Sequence, residues 1–463
     1  MGSLVSTTPL RTAVSHLGWP LVPNVSTAIA LTVQQQLQDS QWWSADAIRD
    51  KQLEQLRRVL RHAQQSVPFY RQQDAYADTF QAAYAGWDEW HRLPILERED
   101  LQRAGTAINS TQVPADHGNT SLMVTTGSTG RPVRVLTTQV TALFWKAFTF
   151  RDHLWHNRDF AAKLGAIRAL DDGVALPPAG AHQPSWGPAT DLLVDTGPAV
   201  VLNLHCSIEK QLRWLQREQP HYLITYPTIA KALAIHCIET GAAIAGLREL
   251  RTIGEALPDD LRRLAQQAWN VPLTDMYTAQ EVGYIAMQCP KHDHYHVQSE
   301  NVLVEVLDDN GNPCNPGQSG RVVVTGLHNF ATPLLRYAIG DYAEVGEPCD
   351  CGRGLPVLNR IHGRVRNMLR LPGGETRWPL IGHLVPGLER LPTLRQYQLV
   401  QKSLQLIEAQ VVVPQPLSAA QEATLITMWQ QSLGHPFDIR IVYVREIPRA
   451  AGGKYEEFRS EVL

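Results

Sequence analysis

The sequence predicts an α/β protein in which a large N-terminal domain of several subdomains is followed by a small α+β C-terminal domain. Three observations carry this. From about residue 120, short apolar runs alternate with helical patterns, the arrangement that builds helix and sheet layers. Past residue 300 the chain reads as strands and tight turns. The last hundred residues run strand, strand, helix, strand. With 463 residues, 44% of them hydrophobic, the chain can form roughly three average domains and bury a large core without disulfide or metal staples.

The elements follow in order. The first thirty residues are mixed, with one apolar patch at Ala28–Val33. From Trp42 a helix is expected, because Leu53, Leu56, Leu60 and Ala63 recur at threes and fours. It should stop before Pro68. A second helix-rich stretch ends near Leu93-Pro94, followed by Glu97–Leu101. Ala199–Leu202 and Tyr222–Ile224 read as strands, and Thr228–Ile238 as a helix. Val302–Val306 and Arg321–Thr325 are strands separated by the turn signal Asp308-Asp309-Asn310-Gly311. Further strands are expected at Tyr397–Gln401, Leu404–Val413 and Asp438–Val444. Between them a helix opens at Ser418, with Gln421 completing a capping box, and ends at Gly434.

Charge and composition exclude several classes. The 42 basic and 45 acidic side chains leave a formal charge of −3, without the basic footprint of a nucleic-acid binder. No apolar stretch approaches the length of roughly 20 residues that spans a bilayer, so no membrane partner is expected. The N-terminus lacks a secretory pattern, and six cysteines in so long a chain do not make a disulfide scaffold. A reducing, cytoplasmic setting is therefore expected.

Four segments carry chemistry. Thr125-Thr126-Gly127-Ser128-Thr129-Gly130 follows an apolar strand, and its glycines, hydroxyls and backbone N–H groups suit phosphate oxygens. It lacks the spacing and lysine of a Walker loop. Gly254-Glu255-Ala256 and Tyr277-Thr278-Ala279-Gln280-Glu281 offer a ring for stacking on a base and carboxylates for Mg²⁺. Arg336-Tyr337-Ala338-Ile339-Gly340-Asp341, with Gly363-Arg364, offers a carboxylate that accepts two ribose hydroxyls and guanidinium groups for ribose or phosphate. Gly452-Gly453-Lys454 offers a lysine on a glycine-bearing tail. Each alone also fits a plain reading: a surface turn, a core tyrosine beside a solvated glutamate, a surface ion pair, a solvated lysine.

In this order and spacing the segments resemble the adenylate-forming (acyl-CoA synthetase-like) superfamily, most closely its phenylacetate–CoA ligase branch. The resemblance runs from Trp42 to the C-terminus. It includes Val67-Pro68-Phe69-Tyr70-Arg71, Leu93-Pro94-Ile95 with Asp100-Leu101, Tyr226-Pro227-Thr228 and Pro333-Leu334-Leu335-Arg336-Tyr337. It implies an acid–thiol ligase that uses ATP and Mg²⁺ to convert a carboxylic acid, by family a small aryl acid, to an acyl-AMP. The acyl group then passes to CoA or to the phosphopantetheine arm of an acyl carrier protein. By motif, Thr125, Thr126, Gly127, Ser128, Thr129 and Gly130 would close over the ATP phosphates. Glu255, Ala256, Tyr277 and Thr278 would line the nucleotide, Glu281 would bind Mg²⁺, Asp341 and Arg364 would hold ribose, and Lys454 would contact the α-phosphate. Relatives are often homodimers.

The chain departs from the family at the hinge. Where many members carry an aspartate, the run Gly363-Arg364-Val365-Arg366 has an arginine, which opens the geometry of the second step and the identity of the thiol acceptor. The division is expected there, with residues 1–365 binding ATP and acid and 366–463 forming a mobile C-terminal domain. Competing readings are an adenylating enzyme with a non-thiol acceptor and a non-catalytic, zinc-stabilised relative.

The cysteines add a metal expectation. Cys289-Pro290-Lys291-His292-Asp293-His294-Tyr295-His296 is followed 53 residues later by Cys349-Asp350-Cys351-Gly352. Two short clusters of thiol and imidazole groups can close a tetrahedral zinc site. Cys289, His296, Cys349 and Cys351 are the expected ligands, with His292 the alternative fourth, and some relatives look similar here and carry such a metal. Four protein ligands leave no open position, so this Zn²⁺ would be structural. Cys206, Cys237 and Cys314 read as ordinary thiols. For the acid, Gly254, Trp186 and Tyr226 are candidate pocket residues, with Trp145 and Phe148 as further candidates for an apolar lining; the aromatic ones equally suit a packed core.

Overall fold

The computed structural model describes residues 12–76, 86–125, 133–364, 368–377, 379, 394, 396–448 and 456–462. The chain divides into two compact units. One comprises Met1–Leu164, His182–Ala199 and Asp275–Ile361; the other comprises Gly165–Ala181, Val200–Thr274 and His362–Leu463. The domain boundary expected near Arg366 falls at residues 365–367, outside the described residues.

The first unit opens with a helix, Val25–Ser40, where the sequence suggested only an apolar patch. Its buried stripe is Thr27, Ala30, Gln34, Leu37 and Ser40, spaced as a helix face but largely polar, so hydrophobic periodicity does not reveal it. Those polar groups are used: Thr27 donates to the Leu192 carbonyl at 2.8 Å, and Ser40 to Glu300 Oε1 at 2.6 Å. The helix Ala45–Ser66 follows, capped by Ser44, and stops before Pro68 as expected, although Pro68 itself opens a further turn, Pro68–Arg71.

This unit's strands lie side by side in the order Val302–Leu307, Ser319–Gly326, Tyr337–Val345, Val357–Arg364, Tyr295–Val297, Gly283–Gln288, Leu273–Ala279. Leu56, Leu60, Tyr70, Trp90, Val322, Val324 and Tyr337 form the core against them. A buried ion pair fixes one edge of that core. Arg336, in the left-handed region at φ 47°, donates from Nε and Nη2 to Glu305 at 3.2 and 3.0 Å. Its Nη1 donates to the carbonyls of His91 and Leu93 at 2.6 and 2.5 Å. Trp90 Nε1 also donates to Glu305, at 3.2 Å. The guanidinium that a ribose reading leaves open at this position is thus consumed by structure.

Removing one partner of a fully paired buried ion leaves the other uncompensated, which costs about 3–5 kcal/mol. Glu305→Gln is expected to lose that much in urea unfolding, with loss of under about 1 kcal/mol contradicting the account. Burial alone would raise the Glu305 pKa; the His91 hydrogen bond and the Arg336 charge outweigh it and hold it below the usual value. A depressed carboxyl stabilises the fold above its unfolded pKa of about 4.3 and loses that contribution as pH falls through its folded pKa. The wild type should therefore lose stability more steeply than Glu305→Gln below about pH 4.3.

In the second unit, the strands Tyr222–Thr225 and Glu249–Ile253 are parallel neighbours, with Leu164–Arg168 and Ala199–Asn203 continuing the order. The helices Ile208–Glu218, Pro227–Thr240 and Leu261–Trp269 pack Leu212, Trp214, Leu233 and Ala265 against Leu202, Leu223 and Leu250. The same unit contains a four-stranded sheet ordered Asp438–Tyr443, Leu406–Val412, Gln396–Gln401, Phe458–Ser460. The helix Ala419–Leu433 packs Leu425 and Trp429 onto it, with the Ser418–Gln421 capping box and the Gly434 stop where the sequence places them. The expected α/β class with a small α+β C-terminal domain is therefore the observed one.

Candidate active site and metal centre

The phosphate-loop motif starts at Thr125, the last residue of the strand Thr120–Thr125, which pairs antiparallel with Val133–Thr138. Thr125 is buried, and its hydroxyl accepts from Val133 N at 3.2 Å. Thr126, Gly127, Ser128, Thr129 and Gly130 lie outside the described residues, as does Lys454. Arg364 ends the strand Val357–Arg364.

Tyr277 and Asp341 come together. Tyr277 sits on Leu273–Ala279 at a register shift between Tyr277 and Thr278, the kind of irregularity that re-aims a side chain. Its hydroxyl donates to Asp341 Oδ2 at 2.8 Å, which holds that carboxylate in place. Thr278 follows the shift and is half-buried. Glu281, in the turn before Gly283–Gln288, is buried and has Arg98 Nη1 at 4.0 Å. Sequence reading missed Arg98. A buried carboxylate with a guanidinium at that distance keeps acceptor capacity for a hard cation.

In the second unit, two motifs form one construction. Tyr226 is the N-cap residue of Pro227–Thr240, and Pro227 occupies the first turn. Gly254, at φ 79°, turns the chain after Glu249–Ile253 in a conformation that favours glycine. Glu255 then accepts from Thr228 N at 3.0 Å and from Thr228 Oγ1 at 2.8 Å, so one oxygen satisfies the exposed start of the helix. Ala256 continues this loop, exposed beside Glu255.

The aromatic candidates separate. Trp186 packs with Phe160 and His153, rings 5.7 and 5.1 Å apart, and its indole N–H donates to the Ala162 carbonyl at 2.8 Å. Its contacts are those of a packing residue. Phe148 is fully buried, whereas Trp145 is 40% exposed and lies 5.0 Å from the Tyr284 ring. Tyr284, one residue past Gly283, was not singled out by sequence.

The four expected zinc ligands converge. The Sγ atoms of Cys289, Cys349 and Cys351 and a ring nitrogen of His296 all lie within 4.8 Å of one another. Cys289 and Cys349 are 3.9 Å apart, and Cys351 Sγ is 3.4 Å from His296 Nε2. Ligand bonds of about 2.0–2.3 Å in a tetrahedron set such edges at roughly 3.3–3.8 Å. His296 Nδ1 faces the Leu355 carbonyl at 3.4 Å, which presents Nε2 to the other three. Backbone N–H groups of Lys291 and Cys351 donate to Cys289 and Cys349 at 3.4 and 3.3 Å. His292 instead faces Asp350 at 2.5 Å on the exposed side.

Burial pushes the Cys349 thiol up to about 12, and burial pushes His296 down to about 4. Neutral imidazole is the ligand form, and a bound cation is what would favour the thiolates. The loop is tightly seated. Gly354 donates its N–H to the Gln41 carbonyl at 3.0 Å, and a Cβ there would meet the Trp43 carbonyl oxygen at 1.8 Å. Arg353 lies between Trp42 and Trp155, 4.8 and 4.3 Å from their rings.

With this geometry in place, comparison with known proteins identifies the class. The chain belongs to the AMP-binding enzyme family, whose model matches residues 25–332. A model of the CapK C-terminal domain matches residues 381–460. Among its relatives are phenylacetate-coenzyme A ligases of Thermus thermophilus and Pseudomonas putida. They are 26% and 27% identical, over 71% of this chain and 73% of each of theirs. A solved 2-hydroxyisobutyryl-CoA ligase in the postadenylation state shares the fold at a TM-score of 0.71 and 18% identity, covering 91% of each chain. The adenylate-forming family and phenylacetate–CoA ligase branch expected from the motifs are the ones found, and the curated relatives agree with an acid–thiol ligase. No helix among the described residues is long and apolar enough to cross a membrane.

Proposed function

We propose that this enzyme activates a small aryl carboxylic acid with ATP and transfers the acyl group to a thiol, either CoA or a phosphopantetheine arm. What carries the reading is the pairing of Tyr277 with Asp341 in a chain of the AMP-binding enzyme family. The relatives named as phenylacetate-coenzyme A ligases support the acid class and the thiol acceptor.

In the first step a carboxylate oxygen bonds to the α-phosphorus of ATP, and pyrophosphate leaves with the electron pair of the broken P–O bond. Two anions must meet, so the barrier is electrostatic. Bound Mg²⁺ would neutralise phosphate charge, and Glu281 would hold it. The loop Thr125–Gly130 would donate N–H and hydroxyl hydrogens to phosphate oxygens. Asp341, oriented by Tyr277, would accept from a ribose hydroxyl, Arg364 would also hold the ribose, and Lys454 would meet the charge that develops on the α-phosphate. Glu255, Ala256 and Thr278 would line the nucleotide, with Gly254 and Tyr226 toward the acid. In the second step a thiol sulfur bonds to the acyl carbon and AMP leaves, the thiol proton passing to solvent. Apart from this chemistry, Cys289, His296, Cys349 and Cys351 would hold a structural Zn²⁺ that ties the turn after Gly283–Gln288 to the loop after Tyr337–Val345.

The test is product identity. Purified protein incubated with ATP, Mg²⁺, CoA and each of a series of benzoic, phenylacetic and heteroaryl acids should yield AMP and an aryl-CoA of the expected mass. AMP release without a thioester, on CoA or on a phosphopantetheinylated carrier, would overturn the thiol acceptor. Turnover confined to aliphatic acids would overturn the aryl assignment.

A further inference from the structure

We propose that Lys231 is a positioning residue for adenylation: its ion triad with Asp260 and Glu457 anchors the C-terminal segment that carries Lys454. The inference rests on the reading of Lys454 as the adenylation lysine.

The geometry lies within the second unit. Lys231 stands on Pro227–Thr240 three residues beyond Thr228, hence on the same helix face as the residue that holds Glu255. Its Nζ is 3.1 Å from Asp260 Oδ2 and 2.9 Å from Glu457 Oε1, with all three side chains largely buried. Burial alone would push the ammonium's pKa down; the two carboxylates outweigh it and hold it above the ordinary lysine range. The far side of Glu457 is equally fixed. Its Oε2 accepts from Tyr397 Oη at 3.2 Å, its carbonyl accepts from Leu399 N at 2.8 Å, and the Glu456 carbonyl accepts from Gln398 Nε2 at 2.8 Å. Glu457 is therefore tied through its backbone to the C-terminal sheet and through its carboxylate to the helix.

Lys454 precedes Glu457 by three residues. A chain advances at most about 3.3–3.6 Å per residue, so fixing Glu457 confines the Lys454 backbone to within roughly 11 Å of it. A tail lysine free to sample solvent would meet a reacting phosphate rarely; one tethered at that range is held near one place. The triad also carries two acids for one ammonium. Losing Glu457 leaves Lys231 still paired with Asp260, so the anchor can be removed without stranding a buried charge.

Glu457→Gln is thus the informative variant, assayed in the full-length enzyme with the acid that gives the fastest ATP–pyrophosphate exchange. The exchange kcat should fall about tenfold with KM for ATP little changed, while thioester formation from supplied acyl-adenylate and CoA keeps its rate. Lys231→Met should do the same, and the exchanged pair Lys231→Glu with Glu457→Lys should restore most of the loss. Added to Lys454→Ala, Glu457→Gln should have no further effect, because it acts through that lysine. Equal losses in both half-reactions, or wild-type exchange in Glu457→Gln and Lys231→Met while Lys454→Ala abolishes it, would overturn the anchor alone. Undiminished exchange in Lys454→Ala would overturn the reading of Lys454 and this inference with it.

Discussion

Lys454→Ala is expected to lower acid-dependent ATP–pyrophosphate exchange by about 10²–10³ while leaving the reaction of supplied acyl-adenylate with a thiol nearly intact. The asymmetry follows from where charge develops. In adenylation an anionic oxygen attacks an anionic phosphorus centre, and a preorganised cation there acts in the transition state more than in the ground state. In thioester formation the electrophile is an acyl carbon and AMP departs without a second anion approaching the phosphorus. A lysine serving only as a solvated tail residue would change neither rate, and one serving the fold would lower both. Measuring the two half-reactions separately therefore distinguishes three roles with one variant.

The second large effect concerns the cysteine cluster. Protein purified without added metal should contain about one zinc per chain, since four converging ligands with a preset tautomer make a closed site. Cys349→Ser and His296→Ala should each lose that zinc and unfold several degrees earlier, at about 2–4 °C per kcal/mol for a domain of roughly 200 residues. His292→Ala should retain it, because His292 is turned toward Asp350. The binding energy of structural zinc becomes folding energy, so prolonged chelation should reproduce the destabilisation. Metal-free protein of full stability would refute the site.

Much of this was legible from sequence for a physical reason. Groups that must meet at one place tend to sit on short contiguous segments, and the structure brings Tyr277 to Asp341 and the two cysteine clusters to each other from such segments. The C-terminal helix was legible to the residue because Ser418, Gln421 and Gly434 solve local hydrogen-bonding problems at its ends. Less local features were not. The stripe of Val25–Ser40 is polar and finds its partners at Leu192 and Glu300, far along the chain. Arg336 is bound by Glu305, and the one available signal was a lone glutamate in the apolar strand Val302–Leu307. Lys231 joins Asp260 and, 226 residues beyond itself along the chain, Glu457, which no local pattern encodes. Trp186 could equally have been pocket or core from its type alone, and only its packing against Phe160 and His153 shows how it is used.

The central claim, that this chain adenylates a carboxylic acid, is tested most directly by incorporation of labelled pyrophosphate into ATP in the presence of Mg²⁺. The account predicts no exchange without acid and robust exchange with at least one small aryl acid, lowered by about 10²–10³ in Lys454→Ala. Folded protein that exchanges with no acid, aryl or aliphatic, would contradict it.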